Sequence, residues 1–371
     1  MSPKRLSEFQ RLALVIGADD RVLHRIEPFE DRRWAALVAQ HPQASIFHTA
    51  GWLEALRRTY GYEPIAYSTS PPGAGLRSGI IFCRVASWLS GRRLVSLPFS
   101  DHCAPLMEDP ADWSTFVSGL DQVLRREKVH YVELRPRDAL EGTSRLLHSN
   151  RSYCFHQLDL RPDLDALFGS FHKDSLQRKI RRAEREGLAC EEGRSDLLLN
   201  RFWRLFLLTR RRHQAPPPPK QWFRNVLDCL GEASTLRVAF KGTQDVAAVL
   251  TLRYRDTLVY KYGCSDSQFH NLGGMPFLLW RSIQAGKRDG LSVLDLGRTD
   301  CDNDGLITFK DRWGAVRSVL TYSRFTAAGA AKAIYGPASS DWKMKIAKGV
   351  VAHSPDRLFS LAGSLLYKHM G

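Results

Sequence analysis

A lysine set between aromatic residues, near the end of an aspartate-rich stretch, is the chain's clearest candidate for chemistry. The stretch runs VLDLGRTDCDNDGLITFKDRWGA from Val293 to Ala315. Val293 and Leu294 read as the end of a buried strand, after which Asp295, Gly297 and Arg298 break the alternation and lead into a polar loop. Loops at strand ends on a rigid scaffold are where functional residues concentrate. Lys310 lies beside Phe309 and three residues before Trp313, so an apolar wall could desolvate its ammonium or hold it against a reacting group. The same spacing also fits a solvated lysine on a surface turn.

A second candidate is a stripe of guanidinium groups. The strongest helical pattern runs from Asp163 to Gly187, with Leu176, Ile180, Ala183 and Gly187 on one side and Arg178, Arg181, Arg182 and Arg185 on the other. Arginine presents a planar fork to phosphate oxygens, so such a stripe could follow a diphosphate or an RNA backbone; an ordinary solvated helix face has the same pattern. The seven cysteines show no CxxC spacing and the histidines are not paired around a glutamate, so no disulfide framework and no structural metal are expected.

These residues need a scaffold, and 371 residues suggest two domains. The polar start MSPKRLSEFQ and the lack of an apolar run of membrane length point to a soluble, cytoplasmic protein. A net charge of +15 and a pI near 9.7 favour anionic partners without choosing among phosphates, nucleic acid and lipid. After a first strand in RVLHRIEPF, the pattern predicts a helix over Ala50 to Tyr60, strands over Pro64 to Ser68, Gly79 to Val85 and Arg93 to Leu97, a helix over Trp113 to Glu127 and a strand over Val129 to Leu134. The series then repeats. Helices fit Leu197 to Arg212 and Gln221 to Leu230, and strands fit Thr235 to Phe240, Val246 to Tyr254 and Thr257 to Tyr262. A helix over Gly274 to Asp289 and strands over Leu291 to Leu294 and Val319 to Phe325 complete it. Two copies of one mixed α/β unit are expected rather than one large sheet. The boundaries are an extension over 1–20, units over 21–160 and 161–330, the second opening with the basic helix, and a helical tail over 331–371. APPPPK at 215–220 reads as a stiff link, with a recognition ligand as the lesser alternative. In the tail, Trp342, Ile346 and Val350 share one side apart from Lys343, Lys345 and Lys348, and an apolar helix follows Pro355. That tail could lie on an anionic membrane surface or pack on the body.

The repeated order, together with four stretches, resembles the FemABX group of peptidoglycan-bridge aminoacyl transferases and the related FemAB-like proteins with a BioF2-like acetyltransferase domain. The stretches are SIFHTAGWLEALRRTYGYEP at 45–64, LVSLPFSDHCAPL at 94–106, HKDSLQRKIRRAEREGL at 172–188 and LDLGRTDCDNDGLITFKDRWGA at 294–315. The resemblance implies an α/β (α+β) fold of tandem GNAT-like acyltransferase domains, each a mixed, mostly antiparallel sheet flanked by helices. It implies transfer of an acyl or aminoacyl group to an amine of a nucleotide- or lipid-linked cell-envelope precursor, for peptidoglycan or polysaccharide. Phe309 and Lys310 then match a Phe-Lys pair near the donor, with Lys310 stabilising the oxyanion. Arg178, Arg181 and Arg182 would grip the acceptor's diphosphate, Arg57 or Arg58 would add a phosphate contact, and Arg298 is a further substrate-binding candidate. Asp101 and His102 would orient or deprotonate the acceptor amine, although a packed loop histidine accounts for His102 as well. Asp295, Asp300, Asp302 and Asp304 read as loop-shaping and capping groups, since this reaction needs no metal.

The chain also departs from that group. No heptad run supplies a coiled-coil arm, which weakens tRNA as donor, and QFHNLGGM at 268–275 places Gly273 and Gly274 before a helix without the usual coenzyme A spacing. Backbone amides there can still hold phosphate. No tightly bound cofactor is expected, acyl-coenzyme A or aminoacyl-tRNA being a co-substrate. A contact with the inner membrane surface is a further expectation, and DNA is not an expected partner. The rival reading is a non-catalytic basic GNAT-fold protein that binds anionic polymer, lipid or RNA.

Overall fold

The computed structural model describes residues 23–87, 91–109, 111–138, 147–326 and 355–370. The strands are β1 His24–Ile26, β2 Glu63–Ser68, β3 Ser78–Ser87, β4 Gly91–Val95, β5 Leu106–Met107, β6 Tyr131–Leu134, β7 Leu147–Asp159, β8 Ala189–Gly193, β9 Ser234–Lys241, β10 Gln244–Tyr254, β11 Thr257–Ser265, β12 Val293–Asp300 and β13 Val316–Thr326. The α-helices are α1 Arg32–Gln40, α2 Ala50–Tyr60, α3 Ala111–Glu127, α4 Leu164–Ser170, α5 Arg178–Arg185, α6 Asp196–Arg212, α7 Lys220–Leu230, α8 Gly274–Arg288, α9 Asp304–Asp311 and α10 Asp356–Met370.

The expected repeat is present, but its copies share one sheet, in the order β1-β2-β3-β4-β6-β13-β7-β12-β11-β10-β9-β8, with β5 on β3. In each copy an antiparallel run leads through a helix to a parallel strand: β4 pairs with β6 across α3, and β11 with β12 across α8. The final strands are exchanged. β7 follows β6 in the chain yet pairs with β12, while β13 follows β12 yet pairs with β6, and β7 and β13 pair with each other along the seam. A boundary drawn in the chain near residue 160 is therefore not a boundary in the sheet. β7 has no place in the sequence reading, because LHSNRS at its start is polar; it is held by neighbours on both sides.

Helices from both copies merge into one core on one face of the sheet. Trp52 of α2 meets Trp222 of α7 edge to face at 5.1 Å, with Phe202, Phe206 and Phe223 packed beside them. Gly51 lets α2 approach α7 closely, since a Cβ there would stand 2.6 Å from the Cys229 carbonyl oxygen. Thr49 accepts from the Trp52 N–H at the start of α2 and Gly61, at φ +69°, ends it where the sequence places the stop.

Three expectations need correction. The helix over Asp163 to Gly187 is broken: His172 N–H is diverted to the Arg312 carbonyl and Phe171 is buried against Trp280 and Trp313, so α4 stops and a π turn over Lys173–Gln177 leads into α5. The segment Asp295 to Arg298 is strand rather than loop, and Lys310 lies on α9, not on a turn. The proline run is no recognition ligand: Pro217 and Pro218 are buried, and Arg210 donates to the Pro216 carbonyl at 2.6 Å. In the tail, α10 docks through buried Phe359 and through Tyr62, whose hydroxyl donates to the Lys368 carbonyl at 3.0 Å. Trp342, Lys343, Lys345, Ile346, Lys348 and Val350 lie outside the described residues. Among the described residues no helix is long and apolar enough to cross a membrane.

Candidate active site

The site is built where two parallel strands part. β11 and β12 pair only at Thr257 to Val259 with Val293 to Asp295; beyond that point β11 stays on β10 and β12 on β7, which opens a wedge. β12 bulges there, with Gly297 at φ +71° and a register shift between Asp295 and Arg298. Asp295 Oδ1 accepts from the Gly297 N–H at 2.7 Å, which fixes the bulge from within the strand.

The loop that follows β4 in the first copy enters this wedge. Leu97 and Phe99 take left-handed φ of 53° and 61°, a conformation that costs about 1–3 kcal/mol per non-glycine residue and persists only where packing imposes it. Here packing does so: Leu97 is fully buried and Phe99 lies against Tyr60, Trp222 and Tyr367. The strained loop presents Asp101 and His102 to the second copy. Asp101 Oδ2 accepts from Lys261 Nζ at 2.8 Å, its Oδ1 lies 3.7 Å from Arg298 Nε, and its carbonyl accepts from the Tyr322 hydroxyl at 2.7 Å. His102 Nε2 lies 3.0 Å from Asp295 Oδ2, and its ring stands edge-on to Phe47 and Phe155. Lys310 Nζ donates to the Gly297 and Arg298 carbonyls at 2.8 and 3.1 Å, tying α9 to the bulge.

Burial sets the electrostatics. It brings the Lys310 ammonium down to about 8, against partial opposition from Asp101 and Asp295. Burial would raise the Asp101 carboxyl, but Lys261 and then Arg298 outweigh it and hold Asp101 below the ordinary carboxylate range. Arg298 lies over the Tyr153 and Tyr322 rings at 4.3 and 5.3 Å, on the two exchanged strands. Lys261 is enclosed by Phe47, Trp52 and Tyr262. Three cations, Lys261, Arg298 and Lys310, thus face two carboxylates, Asp101 and Asp295, in a largely dehydrated wedge. The surplus is positive. Such a site suits a reaction in which negative charge develops on oxygen.

The corresponding wedge of the first copy is closed by its own loop. Ser96 N–H bonds to the Glu133 carbonyl, Cys103 N–H bonds to the Arg135 carbonyl, and the Arg135 side chain donates to the Leu97 carbonyl at 3.0 Å. A cavity of about 290 Å³ adjoins the His102–Asp295 pair between the copies, with Phe47, Gln157, Arg137 and Arg255 among its walls.

Of the residues singled out in the sequence, the fold brings Asp101, His102, Arg298 and Lys310 together. Phe309 packs edge-on against Trp313 at 6.2 Å as part of the apolar wall. Arg178, Arg181 and Arg182 are exposed on α5, opposite buried Leu176, Ile180 and Ala183; Arg178 pairs with Asp174 at 3.0 Å and Arg181 lies over Phe168. Arg57 and Arg58 both hold Glu54 at 2.7 Å on α2. None of these five arginines pairs with the Asp101 cluster. Asp300 pairs with Arg151, while Asn303 rather than an aspartate caps α9. Lys261 was missed; its signal is a single charge inside the aromatic strand LVYKYG.

Gly273 and Gly274 form the start of α8, where Gly273 has φ +73°. A Cβ on Gly273 would stand 2.6 Å from the Lys179 carbonyl oxygen, so this glycine admits the backbone of α5. Gly273→Ala is expected to lower stability by about 1–3 kcal/mol, seen as a lower thermal midpoint, with or without a phosphate ligand present. An unchanged midpoint would show that the contact with Lys179 can relax. Lys179, Arg212 and His270 lie about this helix start, Arg212 Nη1 standing 3.1 Å from His270 Nε2.

The paired copies, the parallel strands that part and the helix leading into the second of them define a tandem GNAT fold of FemABX-like architecture. Residues 170–310 match the acetyltransferase (GNAT) domain family. FemX superposes with a TM-score of 0.66 at 13% identity, over 84% of this chain and 99% of FemX. A tandem GNAT protein from the clavulanic acid biosynthesis pathway gives 0.52 at 10% identity, over 83% of this chain and 99% of that one. L-PGS from Bacillus licheniformis gives 0.51 at 15% identity, over 90% of this chain and 98% of that one. At these identities the likeness is one of fold. No curated protein matches the sequence.

Proposed function

We propose that this protein is an N-acyltransferase that moves an acyl or aminoacyl group onto an amine of a phosphate-bearing cell-envelope precursor. The observation that carries the reading is the meeting of Asp101 and His102, from the first copy, with Lys261, Asp295, Arg298 and Lys310 in the wedge of the second. Burying so many ionisable groups is costly to a fold, and such clusters concentrate at functional sites. FemX, whose fold this chain shares, and the GNAT domain match support the same reaction class.

In this mechanism the acceptor ammonium gives its first proton to solvent on entering the positive wedge, and Asp101, held ionised, orients the amine. Once neutral, the amine nitrogen attacks the acyl carbon and the carbonyl electron pair moves to oxygen. The oxyanion forms beside Lys310 and Arg298, whose positive charge lowers the barrier. Collapse re-forms the carbonyl and expels the donor's thiolate or ribose oxygen. The proton lost by the amine on attack reaches that leaving group through the His102–Asp295 pair. Arg178, Arg181 and Arg182 are exposed on α5, which packs on the start of α8, and would meet acceptor phosphate by exchanging their surface contacts with Asp174, Phe168 and Glu186. The cations about Gly273 and Gly274 favour a donor with its own phosphates, and both acyl-coenzyme A and aminoacyl-tRNA meet that requirement. Incubation with labelled acyl-coenzyme A or charged tRNA, each with a nucleotide-linked amino-sugar peptide, tests the reading. Label in the amide product is expected from one donor, and its absence from both would sink the proposal.

A further inference from the structure

The tail helix α10 presents two unlike faces. Its inner face is anchored by Phe359 beside Leu207, by Gly363 against the Pro217 carbonyl, and by Tyr367 with Arg210. On its outer face Leu358, Leu361 and Leu365 are 57%, 57% and 64% exposed, at spacings of three and four residues that align them in one stripe. Leu366 lies beside the stripe at 41% exposure. Isolated exposed leucines are ordinary on a protein surface, whereas an aligned stripe on a docked helix marks an interaction face.

Three residues after Leu365, the same stripe reaches Lys368, which lines an open cavity of about 630 Å³. Arg92, Lys128, His130 and His369 are also in its walls, and no carboxylate is. Arg92, Lys128 and Lys368 are exposed. An apolar stripe that ends on an acid-free basic hollow matches a surface with hydrocarbon beneath a layer of phosphate.

We infer that this face docks the protein on an anionic phospholipid bilayer, with Leu358, Leu361 and Leu365 at the acyl boundary and Arg92, Lys128, His130 and Lys368 on lipid phosphates. Charge complementarity selects this occupant: a soluble anion would use the hollow without the leucines, and an apolar protein partner would use the leucines without the hollow. The inference is independent of the acyl-transfer reading, because it is measured as vesicle binding and not as turnover.

The test is sedimentation of the full chain with vesicles of phosphatidylcholine alone or mixed with phosphatidylglycerol. Binding is expected to the mixed vesicles only and to weaken with salt. Leu358→Ser, Leu361→Ser and Leu365→Ser together, and separately Arg92→Gln, Lys128→Gln and Lys368→Gln together, should each reduce it by about tenfold or more at an unchanged thermal midpoint. Two results would overturn the inference. One is no binding of the unmutated chain to the mixed vesicles; a lower midpoint in the leucine variant would then mean that the stripe is covered by the chain itself. The other is binding insensitive to the leucine changes but abolished by inorganic phosphate, which would make the hollow a site for free anions.

Discussion

Lys310→Met is expected to lower turnover by about 10²–10³-fold, with little change in acceptor affinity, because it removes the ammonium beside the developing oxyanion while filling the same volume. Unchanged turnover would remove Lys310 from the chemistry. A second signature reports the burial of the ammonium. The Lys310 ammonium is brought from 10.5 to about 8 in the folded chain, so between those values the unfolded chain holds the proton more tightly. Stability of the native protein should therefore rise with pH across that window, by about 3 kcal/mol for a shift of this size, and Lys310→Met should lack the rise. Below pH 8 the buried charge is a constant cost. Urea denaturation at several pH values checks the sign, and parallel profiles for the two proteins would refute it. Turnover of the native enzyme should also fall above pH 8 as Lys310 loses its proton, a limb that the methionine variant's residual activity should not show.

Asp101→Asn is the second large effect expected. The amide keeps the shape but removes the charge that faces Lys261 and Arg298, which are 5% and 32% exposed at the side chain. Removing one partner of a buried ion pair costs about 3–5 kcal/mol, since the other charge is left uncompensated. A lower thermal midpoint and loss of acyl transfer are both expected. Pairing Asp101→Asn with Lys261→Met should recover much of the stability but none of the activity, so the double-mutant cycle should show strong positive coupling. Additive losses would mean that Asp101 and Lys261 do not stabilise each other.

Local pattern made much of the fold legible. α2 spans the predicted Ala50 to Tyr60, and Gly61 stops it by the left-handed turn that a glycine at this position implies. The inward face of α5 and of the π turn before it was readable from Leu176, Ile180 and Ala183, because 3.6-residue periodicity records which side meets the core. Where pattern failed, long-range contacts had overruled it. Asp295, Gly297 and Arg298 look like the start of a loop, yet β7 pairs with that segment on one side and Lys310 holds its carbonyls, so the strand runs through a bulge to Asp300. Lys261 sat unnoticed in a strand because alternation says which face a residue takes and not what it meets there.

The sequence alone determined the doubled helix and strand order, the basic α5 and the setting of Lys310 between aromatic residues, since each rests on residue type and local spacing. Only the tertiary structure decided that β7 and β13 change places, that the first copy's wedge closes on its own loop, and that Asp101 enters the second copy's wedge. The physical reason is that a strand's pattern fixes its faces but leaves its edges open to any compatible neighbour, and the partner is selected by the packing of the whole sheet.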